Sequence, residues 1–368
     1  MENETVSGDE QRAAALPGRE GALSGLRVID FTTLLPGPLA TLIMAEAGAE
    51  VIKIEAPGGD PLRANMPQVG GTSVSFALLN RGKTCRTLNL KASDDRSEAQ
   101  RLTASADIVV EQFRPGVMDR LGLGYAAMAR LKPDLIYCSI TGYGQDGPDA
   151  QRAGHDLNYL ARSGVLSLGG DGQGNPVMPP TQIADIGGGA LPAVLNILAA
   201  LWRRTRTGQG AHLDIAMAEN VAGWAHGSLA QAVCGLAQPG PGEGRLYGSS
   251  PRYHLYRTAD GRFLSVAALE DKFWETFCTV IGLPPGPRVE GPTLITEIAA
   301  ILRNRSAKEW MEVFADHDVC VEPVLRMDET LADDHFTARG LFLQQIKIAP
   351  GHTFAALPVP LAKVLRKC

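Results

Sequence analysis

The sequence predicts an α/β protein. A large, doubly wound, Rossmann-like parallel-sheet domain comes first, and a smaller α+β domain follows. Three observations carry this. Short apolar runs rich in β-branched residues recur through the first 217 residues, each closed by a Gly/Pro break or followed by helical spacing. The first two runs and the helix between them occupy about thirty residues, the length of a β-α-β unit. From residue 218 the texture changes, and a Pro/Gly-rich stretch at 238–244 precedes a hairpin-like pair of strands.

Residues 1–20 (MENETVSGDEQRAAALPGRE) are polar and acidic, without the basic and apolar regions of a signal peptide, and are expected to form a disordered tail. The large domain is expected over 21–217. LRVIDF at 26–31 reads as a buried strand, Pro36-Gly37-Pro38 as a break, and 39–46 as a helix that stops at Gly48. EVIKI at 50–54 is a second strand. DIVVE at 107–111 is another, followed by Phe113-Arg114-Pro115-Gly116 and a helical stretch from Val117. LIYCSIT at 135–141 is a strand closed by Gly142-Tyr143-Gly144. The apolar stretch 190–203 reads as a central helix, 205–209 as a turn and 210–217 as a further strand. Residues 218–244 are expected to be a linker and 245–330 the small domain, whose hairpin turns at Asp260-Gly261. Prolines keep 350–360 extended, and 331–368 is expected to return to the large domain.

The chain has 368 residues, 45% hydrophobic and 20% charged, enough for two cores in a protein of ordinary globular composition. A net charge of −5 with no Lys/Arg-dense stretch gives a nucleic-acid partner little support, and none is expected. The six cysteines (85, 138, 234, 278, 320, 368) have no metal-ligand spacing and read as reduced thiols of a cytoplasmic protein. No run of eighteen apolar residues predicts a membrane span. Arg366-Lys367-Cys368 matches neither a peroxisomal address nor a prenylation box. No G-x-G-x-x-G follows the first strand, which argues against NAD but not against another nucleotide-bearing ligand.

Two segments carry chemistry. His155 stands in Gly154-His155-Asp156-Leu157-Asn158-Tyr159, and Asp185 in Ala184-Asp185-Ile186-Gly187-Gly188-Gly189. A base from each, facing one carbon from opposite sides, would carry a proton across that carbon, which is racemisation. Imidazole titrates near neutral pH, and burial would raise Asp185 toward it. Backbone N–H groups where the apolar helix starts at the triple glycine would receive an enolate oxygen. Each residue also has a structural reading: His155 as a helix-start residue, Asp185 as an N-cap, Glu270 as a surface glutamate at a helix start. Asp156 reads as structural, with a minor claim as a base. Arg114 sits between a strand and a helix, where parallel sheets place phosphates; Arg120 lies two turns on, and Lys91 is a further candidate cation. All three have a solvated alternative.

Gly25-Leu26-Arg27-Val28-Ile29-Asp30, Ala49-Glu50-Val51-Ile52-Lys53-Ile54-Glu55, Leu79-Asn80-Arg81-Gly82-Lys83, Phe113-Arg114-Pro115-Gly116 and Thr141-Gly142-Tyr143-Gly144 together resemble the class III CoA-transferase (CaiB/BaiF) family over residues 22–365. The His155 and Asp185 segments, and Ala268-Leu269-Glu270-Asp271-Lys272-Phe273, resemble its α-methylacyl-CoA racemase branch. The resemblance implies an acyl-CoA substrate, no cofactor beyond the substrate's CoA, no metal and no NAD. It implies His155, Asp185 and Glu270 as catalytic residues, with Glu270 orienting His155. Leu88, Asn89, Leu90 and Lys91 would line the adenine. Gln112, Phe113, Arg114, Pro115 and Gly116 would hold the nucleotide, with Arg120 reaching the same phosphate. Gly154, Asp156, Asn158 and Tyr159 would follow the pantetheine arm. An interlocked homodimer is implied, with the site between the large domain of one chain and the small domain of the other. Two departures stand out: the 58–77 stretch is longer than in the racemases and closer to the transferases, and Ala56 stands where racemases often carry Arg. The expected activity is racemisation or epimerisation of a 2-methyl-branched acyl-CoA through an enolate. A CoA-transferase that forms an aspartyl-CoA thioester at Asp185 is the alternative, and a non-catalytic acyl-CoA-binding protein is a third reading.

Overall fold

The computed structural model describes residues 20–283 and 289–367; the expected tail, apart from Glu20, and Cys368 lie outside the described residues. The large sheet is built from β1 (Arg27–Asp30), β2 (Glu50–Glu55), β5 (Thr84–Thr87), β6 (Ile108–Glu111), β7 (Ile136–Thr141) and β8 (Ala211–Ala216), with the short hairpin β3 (Gln68–Val69) and β4 (Thr72–Ser73) outside it. Its six strands are all parallel, in the order β5-β2-β1-β6-β7-β8. A parallel sheet needs cover on both faces, which is why β6 and β7 are buried at every residue and apolar at most. Successive residues face opposite sides: Val28 enters one core with Leu42, Ile136 and Ile197, and Ile29 the other with Val109, Leu123 and Tyr137. The first face is covered by α1 (Pro36–Glu46) and by the helix that ends at Thr207. The second is covered by elements including α4 (Val117–Arg120) and α5 (Tyr125–Leu131). Between β1 and β6 the strand order reverses. The crevice at the carboxyl ends of these two strands is where open α/β sheets bind ligands.

Several expectations are corrected. Pro36-Gly37-Pro38 is the first turn of α1 rather than a break: a proline there loses no helical hydrogen bond. A Cβ on Gly37 would collide with Thr32. The stretch after Val117 is two short helices parted by Gly122, whose φ of 69° is left-handed. The helix expected at 190–203 begins earlier, with a π-helical turn at Ala184–Ala190, and continues as α7 (Leu191–Thr207) to a left-handed Gly208. Residues 218–233, read as linker, are largely helical, in α8 (Met217–Ala222) and α9 (His226–Val233). Their alanine-rich composition favours helix, and the Pro/Gly signal begins only after them. The 58–77 stretch folds into a 3-10 turn at Pro61–Ala64, the β3–β4 hairpin and the start of α2 (Val74–Asn80).

Among the described residues one helix, Ala184–Thr207, is long and apolar enough to cross a membrane. Ala193, Ile197 and Ala200 on it are buried in the sheet core, so it is a core helix, while Leu191, Leu195, Leu198 and Trp202 are exposed. A second core belongs to the antiparallel sheet of β9 (Tyr253–Arg257), β10 (Phe263–Ala267) and β11 (Val321–Pro323). Tyr256, Phe277, Ile298 and Trp310 fill it. The last strands, β12 (Gln345–Ala349) and β13 (His352–Ala355), form a hairpin. Around them Arg81 donates to Leu357 O at 2.7 Å, Lys367 N–H to Glu46 O at 2.9 Å, and Ala22 N–H to Leu365 O at 3.0 Å.

Candidate active site

The carboxyl end of the sheet opens into a cavity of about 350 Å³. Its walls come from the β1–α1 loop (Leu34, Pro36), the loop after β6 (Gln112, Phe113, Arg114, Pro115), the end of β7 (Ile140, Thr141, Gly142), Ala150 and residues 152–155, and Tyr159, Asp185 and Met217. His155 and Asp185, thirty residues apart in sequence, therefore face one space.

His155 immediately precedes α6 (Asp156–Arg162). Its backbone N–H donates to Asn158 Oδ1 at 3.0 Å, so Asn158 fixes the helix entry, and the imidazole is exposed. Tyr159 is buried; its hydroxyl donates to Gly154 O, and its ring fills the room beside Gly142 and Gly154, where a Cβ would strike it. Tyr143 packs edge-on to that ring at 5.3 Å. The two glycines and the tyrosine thus form one mould that presents His155. Burial, first, and Asp185 nearby push the Tyr159 phenol up to about 12, so it stays protonated.

Asp185 lies in the π-helical turn, an irregularity often found at functional sites. It makes no capping hydrogen bond, so the N-cap reading is set aside. Its N–H donates to Asp156 Oδ1 at 2.9 Å, which ties α6 to the turn. Burial, then the negative charge of Asp156, push the Asp185 carboxyl up to about 6, while His155 pulls it the other way. The triple glycine serves packing. Gly187 abuts Trp224, Gly188 would meet Met217 O at 2.6 Å, and Gly189 would meet Pro36 at 3.0 Å if each carried a Cβ. Because the helical run starts before them, with Ile186 N–H already donating to Gln182 O, these glycines do not form a free helix start for an enolate oxygen.

Other expected residues divide. Gln112 spans the crevice, donating to Thr33 O at 2.6 Å and accepting from Gly37 N–H at 3.2 Å. Phe113 N–H donates to buried Glu111 at 2.8 Å, and burial pushes that carboxyl up to about 7. Arg114 is exposed and lines both the main cavity and a neighbouring one of about 210 Å³, which Gly116 also lines with Glu111, Ser139 and His212. Arg120 is exposed on α4 and lines neither. Leu88 to Lys91 follow β5 and do not line the cavity: Leu88 and Leu90 lean on the second core, and Asn89 accepts from Lys91 N–H at 3.2 Å. Glu270 is exposed just before α10 (Asp271–Val280) of the small sheet unit, and within one chain no hydrogen bond joins it to His155. The sequence did not single out Leu34, Ile140, Arg152 or Met217, which also line the cavity. Arg152, three residues before His155, carried a signal as a cation beside the motif; the others are apolar and carried none.

The model of CoA-transferase family III matches residues 23–364. Human alpha-methylacyl-CoA racemase is 35% identical over 328 residues, covering 88% of this chain and 82% of the relative. An acetyl-CoA:oxalate CoA-transferase from Acetobacter aceti is 34% identical over 339 residues, covering 88% and 86%. The crystal structure of a CAIB/BAIF family protein from Brucella suis aligns with a TM-score of 0.81 at 28% identity, over 95% of this chain and 96% of that one. Racemases and CoA-transferases thus stand at similar distance, and both are enzymes of one fold. With the match running almost end to end, the chain belongs to CoA-transferase family III.

Proposed function

We propose that this chain racemises or epimerises a 2-methyl-branched acyl-CoA by moving the α-proton between His155 and Asp185. One observation carries the reading: an imidazole and a carboxyl raised to about 6 line the same cavity from different elements. A carboxyl raised to about 6 exchanges protons near neutral pH, as general acid–base catalysis requires. His155 takes the α-proton from one face; the C–H electron pair moves into the enolate. The neutral Asp185 carboxyl then gives its proton to the opposite face of C2. In the reverse direction the roles exchange. One turnover leaves His155 protonated and Asp185 ionised, and proton exchange with solvent restores the starting state, so the reading calls for no metal or redox cofactor. Exposed Arg114 and Arg152 at the cavity suit the phosphates of CoA.

The dimer belongs to the same proposal. The outward faces of α7 and α9 leave Leu195, Trp202, Leu229 and Val233 more than half exposed, a surface that suits a second copy. In the interlocked arrangement the resemblance implies, Glu270 of the partner subunit would orient His155. Light scattering showing a stable monomer would count against this part.

A transferase reading is favoured by the similar identity to the Acetobacter aceti enzyme and by the folded 58–77 stretch. There Asp185 would attack the thioester carbonyl and expel CoA thiolate, leaving a mixed anhydride. The thiolate would then attack the aspartyl carbonyl, releasing the donor acid and forming the aspartyl-CoA thioester, from which CoA passes to a second carboxylic acid. Incubation with a 2-methylacyl-CoA in D₂O, without acceptor acid, separates the two. Deuterium at C2 with loss of stereochemical purity supports the racemase. No exchange, together with CoA transfer to an added carboxylate that survives His155→Ala but not Asp185→Ala, overturns it in favour of the transferase.

A further inference from the structure

The β1–α1 loop is gripped from several sides. Asp30 accepts from Thr32 N–H at 2.8 Å, and Lys53 Nζ donates to Thr32 O at 2.6 Å. Gln112 holds Thr33 and Gly37 from β6. Asp60 Oδ1 accepts from Leu34 N–H at 3.3 Å and from Leu62 N–H at 2.9 Å, while its Oδ2 faces Lys53 Nζ at 3.0 Å, outside hydrogen-bond geometry. The side chains of Asp30, Lys53, Asp60 and Lys83 are completely buried. Buried ion pairs seldom add net stability over an apolar core, so this arrangement needs another reason. Leu34, whose N–H Asp60 holds, has a φ of 61°; a bulky residue there is a genuine outlier, and such strain gathers at functional sites. Leu34 remains 38% exposed and lines the cavity shared by His155 and Asp185.

We propose that Leu34 sets which acyl groups the site accepts, and that Asp60, through its pair with Lys53, is the positioning residue that holds Leu34 there. The proposal rests on the acyl-CoA reading above. Of the residues lining the cavity, Leu34, Pro36, Ile140 and Met217 are apolar and suit a hydrocarbon chain, while Arg114 and Arg152 suit CoA phosphates. Asp60 belongs to the 58–77 stretch, which Arg63 clamps to Glu55 through two bonds at 2.6 and 2.7 Å. The stretch that departs from the racemase pattern thereby reaches the reacting space through one leucine.

The test compares thioesters of 2-methylbutanoic, 2-methylhexanoic and 2-methyldecanoic acids, following α-exchange or CoA transfer, whichever the wild type performs. Calorimetry with CoA alone is run beside it. Leu34→Phe should lower kcat/KM for the longest thioester about 10-fold more than for the shortest, and Leu34→Ala should shift the preference the other way. CoA affinity should stay unchanged in both. Asp60→Asn removes the carboxylate that pairs with buried Lys53, so the double substitution Lys53→Met/Asp60→Leu, with folding checked by circular dichroism, serves as the second variant. It should flatten the chain-length preference at unchanged CoA affinity. An equal factor on all three thioesters in the Leu34 variants overturns the role of Leu34, and full discrimination in the folded double variant overturns that of Asp60. A wild type that binds CoA but acts on no thioester fails a different claim, the functional reading, and takes this inference with it.

Discussion

Asp30 and Asp185 stand near the same end of the sheet and titrate in opposite directions. Asp30 is completely buried, which alone would push it up; Lys83, Lys53 and bonds from Thr32 and Thr41 outweigh burial and hold it below its ordinary value. Burial brings Lys83 down to about 8, with Asp30 opposing, so the pair stays ionised at neutral pH. Asp185 is less buried, yet burial and then the anion Asp156 push it up to about 6, with His155 pulling the other way. The difference teaches that pairing, more than depth, decides a buried carboxyl's state. Paired charges near β1 hold the loop that bears Leu34; the unpaired carboxyl of the π-helical turn is left free to exchange a proton.

The largest effect should come from removing the unpaired group. Asp185→Asn or His155→Ala should lower α-exchange in D₂O by roughly 10²–10⁴-fold, the usual worth of a positioned acid or base. Exchange that survives either substitution would break the comparison, because that group would then do no chemistry. In the paired region the loss should appear in stability. Lys83→Met leaves Asp30 buried with one cation fewer and should cost roughly 3–5 kcal/mol in urea unfolding. A loss under about 1 kcal/mol, typical of an exposed pair, would mean that the buried network carries no structural weight.

The sequence announced these two regions unequally. The sheet was legible because parallel strands buried on both faces leave continuous apolar runs, as in DIVVE and LIYCSIT. His155 and Asp185 were legible as members of motifs, but their shared cavity was not, since 30 residues of chain do not say which way a loop returns. The ion network left only a faint trace: a lysine inside EVIKI and an aspartate after two glycines at 58 and 59. Pro36-Gly37-Pro38 misled because proline both ends and starts helices, and only the tertiary neighbours decide which. The triple glycine looked like an oxyanion site, whereas Trp224, Met217 and Pro36 press on it. Close packing between distant segments has no sequence period to betray it.

A smaller effect follows from linkage. The Asp185 carboxyl has a folded pKa of about 6 against an ordinary 3.8. A raised carboxyl favours folding while it is protonated, and that contribution is lost as pH rises from the lower value through the upper one. At neutral pH the folded state therefore carries a disfavoured anion, which Asp185→Asn removes. The variant should be more stable than the wild type by roughly 1–3 kcal/mol at pH 7, with the advantage vanishing near pH 4. Equal urea midpoints at both pH values would mean that Asp185 is solvated as an ordinary surface acid.

The smallest effect isolates Asp156. The structure gives this residue two jobs: it accepts the Asp185 N–H at 2.9 Å, and its charge helps to raise the Asp185 carboxyl. Asparagine keeps the acceptor oxygen and loses the charge. In the direction where Asp185 acts as the base, kcat/KM should fall as pH drops through about 6, because the carboxyl takes up a proton. With the charge at 156 gone, Asp185 ionises more readily, so in Asp156→Asn this acid limb should move to lower pH while the plateau rate changes little. A limb that stays in place with a lowered plateau would assign Asp156 to positioning alone and leave burial as the sole cause of the raised carboxyl. A limb that moves at constant plateau makes Asp156 the electrostatic counterpart of Lys83: a neighbouring charge that sets the state of an aspartate, here toward reactivity instead of rest.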